Sequence, residues 1–345
     1  MSLKALLGVE LPIIQAPMAG VQGSALAIAV CNAGGLGSLP AAMLTPDLLR
    51  QEIGAIRAQT AKPFNVNFFS HTPPARDAQR EATWRETIAP YYREYGISES
   101  TVAGGPGREP YGDHAADLLD ELQPPIVSFH FGLPSHELLI RLRGWGAKVL
   151  ASATTVEEAR WLESRGVDAI IAQGLEAGGH RGMFLSDDLT TQMGTLALVP
   201  QIVAAVRTPV IAAGGIADAS GVTAAMSLGA VGVQIGTAYL LCPEATTSAV
   251  HRRALRSPIA GHTAMTNVFT GRPARSIVNR FMQEVGPISS VAPPFPLAAL
   301  PLAQLRARAE ELRSGDFSPL WAGQNATGCK EYSAAQLTLE LAAGV

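Results

Sequence analysis

The chain has 345 residues, of which 47% are hydrophobic and 16% charged, with a formal net charge of −3. That is enough apolar material for one large core or two smaller ones. With no basic run, the balance argues against nucleic acid as a partner. The three cysteines, Cys31, Cys242 and Cys329, are far apart and form no Cys-x-x-Cys. Neither a disulfide framework nor a zinc site is expected, and a cytoplasmic location fits.

Residues 11–46 carry no charge at all. Pro12, Pro17 and a series of glycines interrupt the stretch, which reads as a buried strand–helix–strand rather than a membrane span. No export signal opens the chain. Pro12-Ile13-Ile14-Gln15 reads as a first strand and 24–32 as a helix with Ser24 as N-cap. Leu36-Gly37-Ser38-Leu39 is a second strand, 47–59 a helix, and 64–69 a third strand. Residues 71–123 read as an elaborate crossover, with a helix near 77–95 and a turn-rich stretch at Gly104-Gly105-Pro106-Gly107.

Strand four is expected at 126–131, followed by a helix at 136–143, and strand five at 148–152. The next helix, 155–165, has Thr155 and Glu158 in capping-box spacing. Strand six is 168–172, strand seven 209–213 and strand eight 231–235, with helices at 197–206 and 221–228. Eight near-continuous apolar strands alternating with helices predict a (β/α)8 TIM barrel, since a parallel sheet is buried on both faces. A doubly wound sheet is the alternative. Beyond Glu244 the alternation stops. Residues 1–243 with about 315–345 are assigned to the barrel, and about 244–314 to a smaller appended cap.

Ligands of such barrels bind at the carboxyl ends of the strands, and a phosphate commonly sits on the last two loops. Here those loops carry Gly214-Gly215 and Gly236-Thr237. Glycine main-chain N–H groups can cradle an anion, and Thr237 can add a hydroxyl donor. No P-loop, Gly-x-Gly-x-x-Gly turn, zinc-peptidase pattern or nucleophile elbow competes. A flavin mononucleotide or a phosphosugar substrate remains. Asn65, Asn67, Gln15 and Gln173 stand at strand ends, where side-chain amides could serve a flavin ring or simply fill the barrel. His180 follows the glycine-rich turn after strand six, and His130 sits on strand four with axis-facing parity.

Several segments, in order, resemble the nitronate monooxygenases. They are Pro12-Ile-Ile-Gln-Ala-Pro-Met18, Asn32-Ala-Gly-Gly-Leu-Gly37, Pro63-Phe-Asn-Val-Asn67, Ser128-Phe-His-Phe-Gly-Leu-Pro134, Gln173 to Gly182, Ala212-Ala-Gly-Gly-Ile216, Gln234-Ile-Gly-Thr237 and Trp321-Ala-Gly-Gln324. The resemblance implies an FMN-bearing barrel with a small cap. FMN would be held by Met18, Asn67, Gln173, Gly178, Gly214, Gly215, Gln234, Ile235, Gly236 and Thr237. It implies oxidation of an alkyl nitronate of the propionate 3-nitronate type by O2, giving a carbonyl compound and nitrite or nitrate.

His180 falls at the family's catalytic histidine, as a base or an anion-stabilising group, and His130 is a candidate for the substrate pocket. No metal or membrane partner is implied, and a homodimer is compatible. An FMN-dependent NAD(P)H reductase on the same scaffold, acting on enoyl-acyl-carrier protein or a quinone, is the near alternative; a phosphosugar isomerase or lyase is a remote one. The chain departs from the family's usual pattern at residues 325–330.

Overall fold

The computed structural model describes residues 2–98, 108–326 and 329–345; the turn-rich 104–107 stretch and part of the 325–330 departure lie outside the described residues. Eight strands form one parallel sheet: β1 (Ile13–Gln15), β2 (Ser38–Pro40), β3 (Asn65–Phe69), β4 (Ile126–His130), β5 (Lys148–Ala153), β6 (Ala169–Gln173), β8 (Val210–Ala213) and β9 (Gly232–Ile235). The intervening β7 (Gly179–His180) belongs elsewhere. The Ile14–Leu36 bridge joins the first strand to the second, so the sheet closes into a barrel. Closure leaves no free edge, and the doubly wound alternative is excluded.

Side chains alternate across each strand. On β6, Ile170 and Ala172 pack outward under the helices, whereas Ala169 and Ile171 join the inner cluster with Ile14, Leu36, Ile126, Leu150 and Ile211. Gln173 shares the inner parity and stands above Ile171. On β3, Val66 and Phe68 pack outward, so Asn65, Asn67 and Phe69 rise along the interior. The same parity brings Ser128, His130 and Ser152 to the upper barrel.

Local chemistry sets most boundaries. Thr45 caps the helix Pro46–Gln59 by accepting from Leu48 N–H. Thr155 caps Val156–Ser164 by accepting from Glu158 N–H. The reciprocal half of that capping box is absent, because the Glu158 carboxylate instead accepts from Thr154 N–H, Phe184 N–H and Leu185 N–H. The helix Ser24–Asn32 has Gly23, not Ser24, at its N-cap; the Glu52 carboxylate takes the Ser24 N–H in the cap's place. Strand β4 ends at His130 rather than at Phe131, whose φ of 71° turns the chain. That left-handed conformation is uncommon for a bulky residue and is held here by packing on Phe69 and Phe295.

A second, antiparallel sheet joins β10 (Thr263–Thr266), β11 (Ala274–Ile277) and β7, with Ala274 opposite His180. Behind it lies an aromatic cluster in which Trp84, Ile88 and Tyr92 of the helix Ala78–Glu94 meet Phe269, Phe281 and Phe317. The helix Ala334–Leu341 lies against Ser24–Asn32, and Tyr239 hydrogen-bonds Thr338 at 2.8 Å. No helix among the described residues is long and apolar enough to cross a membrane.

Candidate active site

One cavity opens at the carboxyl ends of the barrel strands, beneath the small sheet. Met18, Asn67, Gln173, Gly178, Gly214, Gly215, Gln234, Ile235, Gly236, Thr237, His130 and His180 all line it. The two loops after β8 and β9 form one wall. The main-chain N–H groups of Gly214, Gly215 and Gly236 find no acceptor among the described residues. All three residues line the cavity and none is buried, so their N–H groups are open to a ligand and could cradle an anion. Gly214 and Gly215 have φ of 123° and 72°, which only glycine adopts without strain. Thr237 Oγ1 accepts from Gly323 N–H at 2.9 Å, which leaves its own proton to donate.

Gln173 ties the opposite wall together. Its Nε2 donates to His180 O at 2.9 Å, and its Oε1 accepts from Gly182 N–H at 2.7 Å. His130 Nε2 donates to the same His180 carbonyl at 3.0 Å, and its Nδ1 meets Ser152 Oγ at 2.9 Å. Both ring nitrogens of His130 are therefore taken by the scaffold. Burial pushes its pKa down to about 4 despite the bond to His180 O, so the ring is neutral at pH 7. Arg181 is fully buried and donates to Gly174 O and Gln173 O, both at 2.7 Å, and to Gln192 Oε1 at 3.0 Å. The turn that presents His180 is thus fixed from three sides.

The His180 ring sits among Phe69, Phe131, Phe295 and Trp321; the centroids of the last two are 5.3 Å away. Nε2 lies 2.9 Å from Thr270 Oγ1, whose proton is directed at Arg272 O, 3.4 Å away. Thr270 thus holds the ring through Nε2 and leaves Nδ1 on the other edge. That nitrogen has no hydrogen-bond partner among the described residues. Burial first, then the charge of Arg108, lowers the His180 pKa well below 6.5. The imidazole is neutral at pH 7, able to accept a proton.

Not every candidate amide reaches the cavity. Gln15 has the outward parity of Ile13 and is spent on Gln22 Oε1 (2.6 Å) and Ser38 N–H (3.0 Å). Asn65 lies one layer too deep, donating to Ser38 Oγ at 3.0 Å and Ser128 Oγ at 2.8 Å. Asn67 donates to Ser128 O and Oγ yet remains on the lining.

Several lining residues carry no local signal. Arg108, Trp321 and His251 reach the cavity from distant segments, and His251 Nε2 is buried without a partner. His71 packs edge-on against Phe295, 4.8 Å between centroids. Arg181 was visible beside His180, but only its burial reveals what it holds. Among the described residues no cluster of side chains could hold a metal ion.

A closed parallel barrel with glycine turns on its last two loops, facing a neutral histidine across one cavity, defines an enzyme of the TIM-barrel class. Comparison with known proteins specifies the family. A family model described as Nitronate monooxygenase matches residues 1–344. Relatives named nitronate monooxygenase are 44% identical in Paraburkholderia phytofirmans, covering 97% of this chain and 92% of the relative, and 42% identical in Pseudomonas aeruginosa, covering 96% and 95%.

Among solved structures, a nitroalkane oxidase from Streptomyces ansochromogenes superposes with a TM-score of 0.91 at 41% identity, covering 99% of this chain and 97% of the other. FabK from Thermotoga maritima superposes with a TM-score of 0.73 at 28% identity, covering 99% and 94%. The chain belongs to the nitronate monooxygenase family, and it is an oxidoreductase.

Proposed function

We propose that the protein holds FMN in this cavity and oxidises alkyl nitronates with O2, yielding a carbonyl compound and nitrite or nitrate. The observation that carries the reading is the trio of unpaired N–H groups at Gly214, Gly215 and Gly236, facing the same cavity as a neutral, unpartnered His180 nitrogen. Those N–H groups and the Thr237 hydroxyl suit the cofactor's phosphate. Asn67, Gln173 and Gln234 offer amides, Met18 an apolar face, and Gly178 a stretch of backbone with no side chain in the way. When bound, FMN supplies the electron-transfer chemistry.

The residues of the chain do the rest. Gln173 and His130 hold the His180 main chain, and Thr270 holds its ring. With a neutral nitroalkane, Nδ1 takes the α-proton as general base. With a nitronate already formed no proton needs removing, and His180 places the anion while the aromatic wall excludes water. The 244–314 segment, with β7 pinned to β11, covers the site as a cap.

The test is an absorbance spectrum of the purified protein, then anaerobic titration with propionate 3-nitronate and, separately, NADH. A flavin spectrum bleached by the nitronate alone is expected. Bleaching by NADH but not by nitronate would overturn the reading in favour of an NAD(P)H reductase.

A further inference from the structure

Arg108 lines the cavity from the crossover segment. Its Cζ lies 5.6 Å from the centroid of the Phe295 ring, and the His180 ring lies 5.3 Å from the same centroid. The two groups therefore line one cavity and pack against one aromatic side chain, Phe295. The other nearby cation, Arg272, does not line the cavity: it stacks on Phe131 at 4.1 Å and donates to Met183 O. Arg108 has neither a carboxylate nor a carbonyl partner for its guanidinium among the described residues, and its nitrogens are not sealed off from the cavity.

Its backbone is tied to the His71 side chain, and three residues further on Tyr111 N–H donates to Phe69 O at 2.8 Å. Burial lowers its pKa, as expected for a cation removed from water without a counter-ion. A planar guanidinium with free donors matches a carboxylate in a two-bond fork.

We propose that Arg108 is a specificity-determining residue that binds a carboxylate at the far end of the substrate, selecting nitronates with an anionic tail over plain alkyl nitronates. This rests on the nitronate-oxidising function proposed above. With the reacting carbon at His180, the tail of the substrate crosses the cavity to Arg108.

The test compares kcat/KM for propionate 3-nitronate and for propyl-1-nitronate in the flavin-loaded enzyme, its Arg108→Met variant and its Arg108→Lys variant. The preference for the carboxylated substrate is expected to fall roughly 30-fold or more in Arg108→Met, through KM, as for a truncated charge pair. Arg108→Lys should restore part of it. An unchanged preference, whether both substrates suffer together or neither does, overturns the assignment. Calorimetric titration with propionate separates this from the proposed function. If no nitronate is oxidised at all, that function fails, yet propionate binding by the wild type and its loss in Arg108→Met still support Arg108 as the carboxylate site. Equal binding by both, or by neither, refutes it.

Discussion

Gly178 lies where the turn after β6 passes under the segment around Gly323. A Cβ built there would stand 2.5 Å from Gly323 N and 2.6 Å from Ala322 C, both main-chain atoms that cannot rotate away. The two segments are also tied to each other and to the barrel, by Gln324 N–H donating to Glu176 O at 2.9 Å and Gly323 N–H to Thr237 Oγ1 at 2.9 Å. Gly178→Ala must therefore force them apart by roughly 0.5–1 Å, with an overpacking cost of about 1–3 kcal/mol.

In a chain of this size that lowers Tm by about 1–4 °C. The displaced turn carries His180, so kcat/KM for a nitronate should fall at least about tenfold, since misplacement by about 1 Å can cost more. Gly54→Ala is the control. That glycine is exposed in the helix Pro46–Gln59 with nothing near its Cβ position, and alanine there should stabilise by about 1 kcal/mol. Calorimetric melts and steady-state kinetics measure both. A Gly178→Ala protein that melts and turns over like the wild type would refute the claim that the two segments are in contact.

Three further outcomes are expected. His180→Asn should retain flavin, read from its absorbance, while turnover falls about 10²–10⁴-fold; turnover at the wild-type rate would exclude His180 from the chemistry. Gln173→Ala strips one donor from His180 O and leaves Gly182 N–H unpaired, destabilising by about 1–3 kcal/mol, with a lower kcat; a Gln173→Ala protein with unaltered melt and kcat contradicts the clamp. Acid should weaken the fold: burial holds His71, His130 and His251 at about 4 and His180 well below 6.5. Below about pH 6.5 the unfolded chain binds protons that the folded one refuses, so stability present above that pH is lost as pH falls toward 4, by on the order of 1 kcal/mol per pH unit for each histidine. Tm measured at pH 7 and pH 5 checks this, and equal values would contradict the buried neutral histidines.

Much of the architecture was legible in the order of residues. Short apolar runs such as Val210–Ala213 and Gly232–Ile235, spaced by helical patterns, specify strands buried on both faces, and only a wrapped parallel sheet offers eight of them that environment. The glycine turn after β8 was legible too, because Gly214 and Gly215 both take a positive φ. Candidate amides were legible only as a set. Gln15 and Gln173 each close a strand, but one faces outward and the other inward, and parity follows from register, which a single segment does not carry.

The chain order by itself determined the barrel, the glycine turns after β8 and β9 and the histidine that follows β6. Tertiary structure alone decided that His180 lies in a two-residue strand opposite Ala274, that Thr270 holds its ring, and that Arg108, Phe295 and Trp321 gather around it. The reason is physical: periodicity records whether a side chain is buried, a property of its own segment, whereas its partner is set by closure of the barrel and by the small sheet, which bring together residues distant in the chain, such as Thr270 and Trp321 around His180.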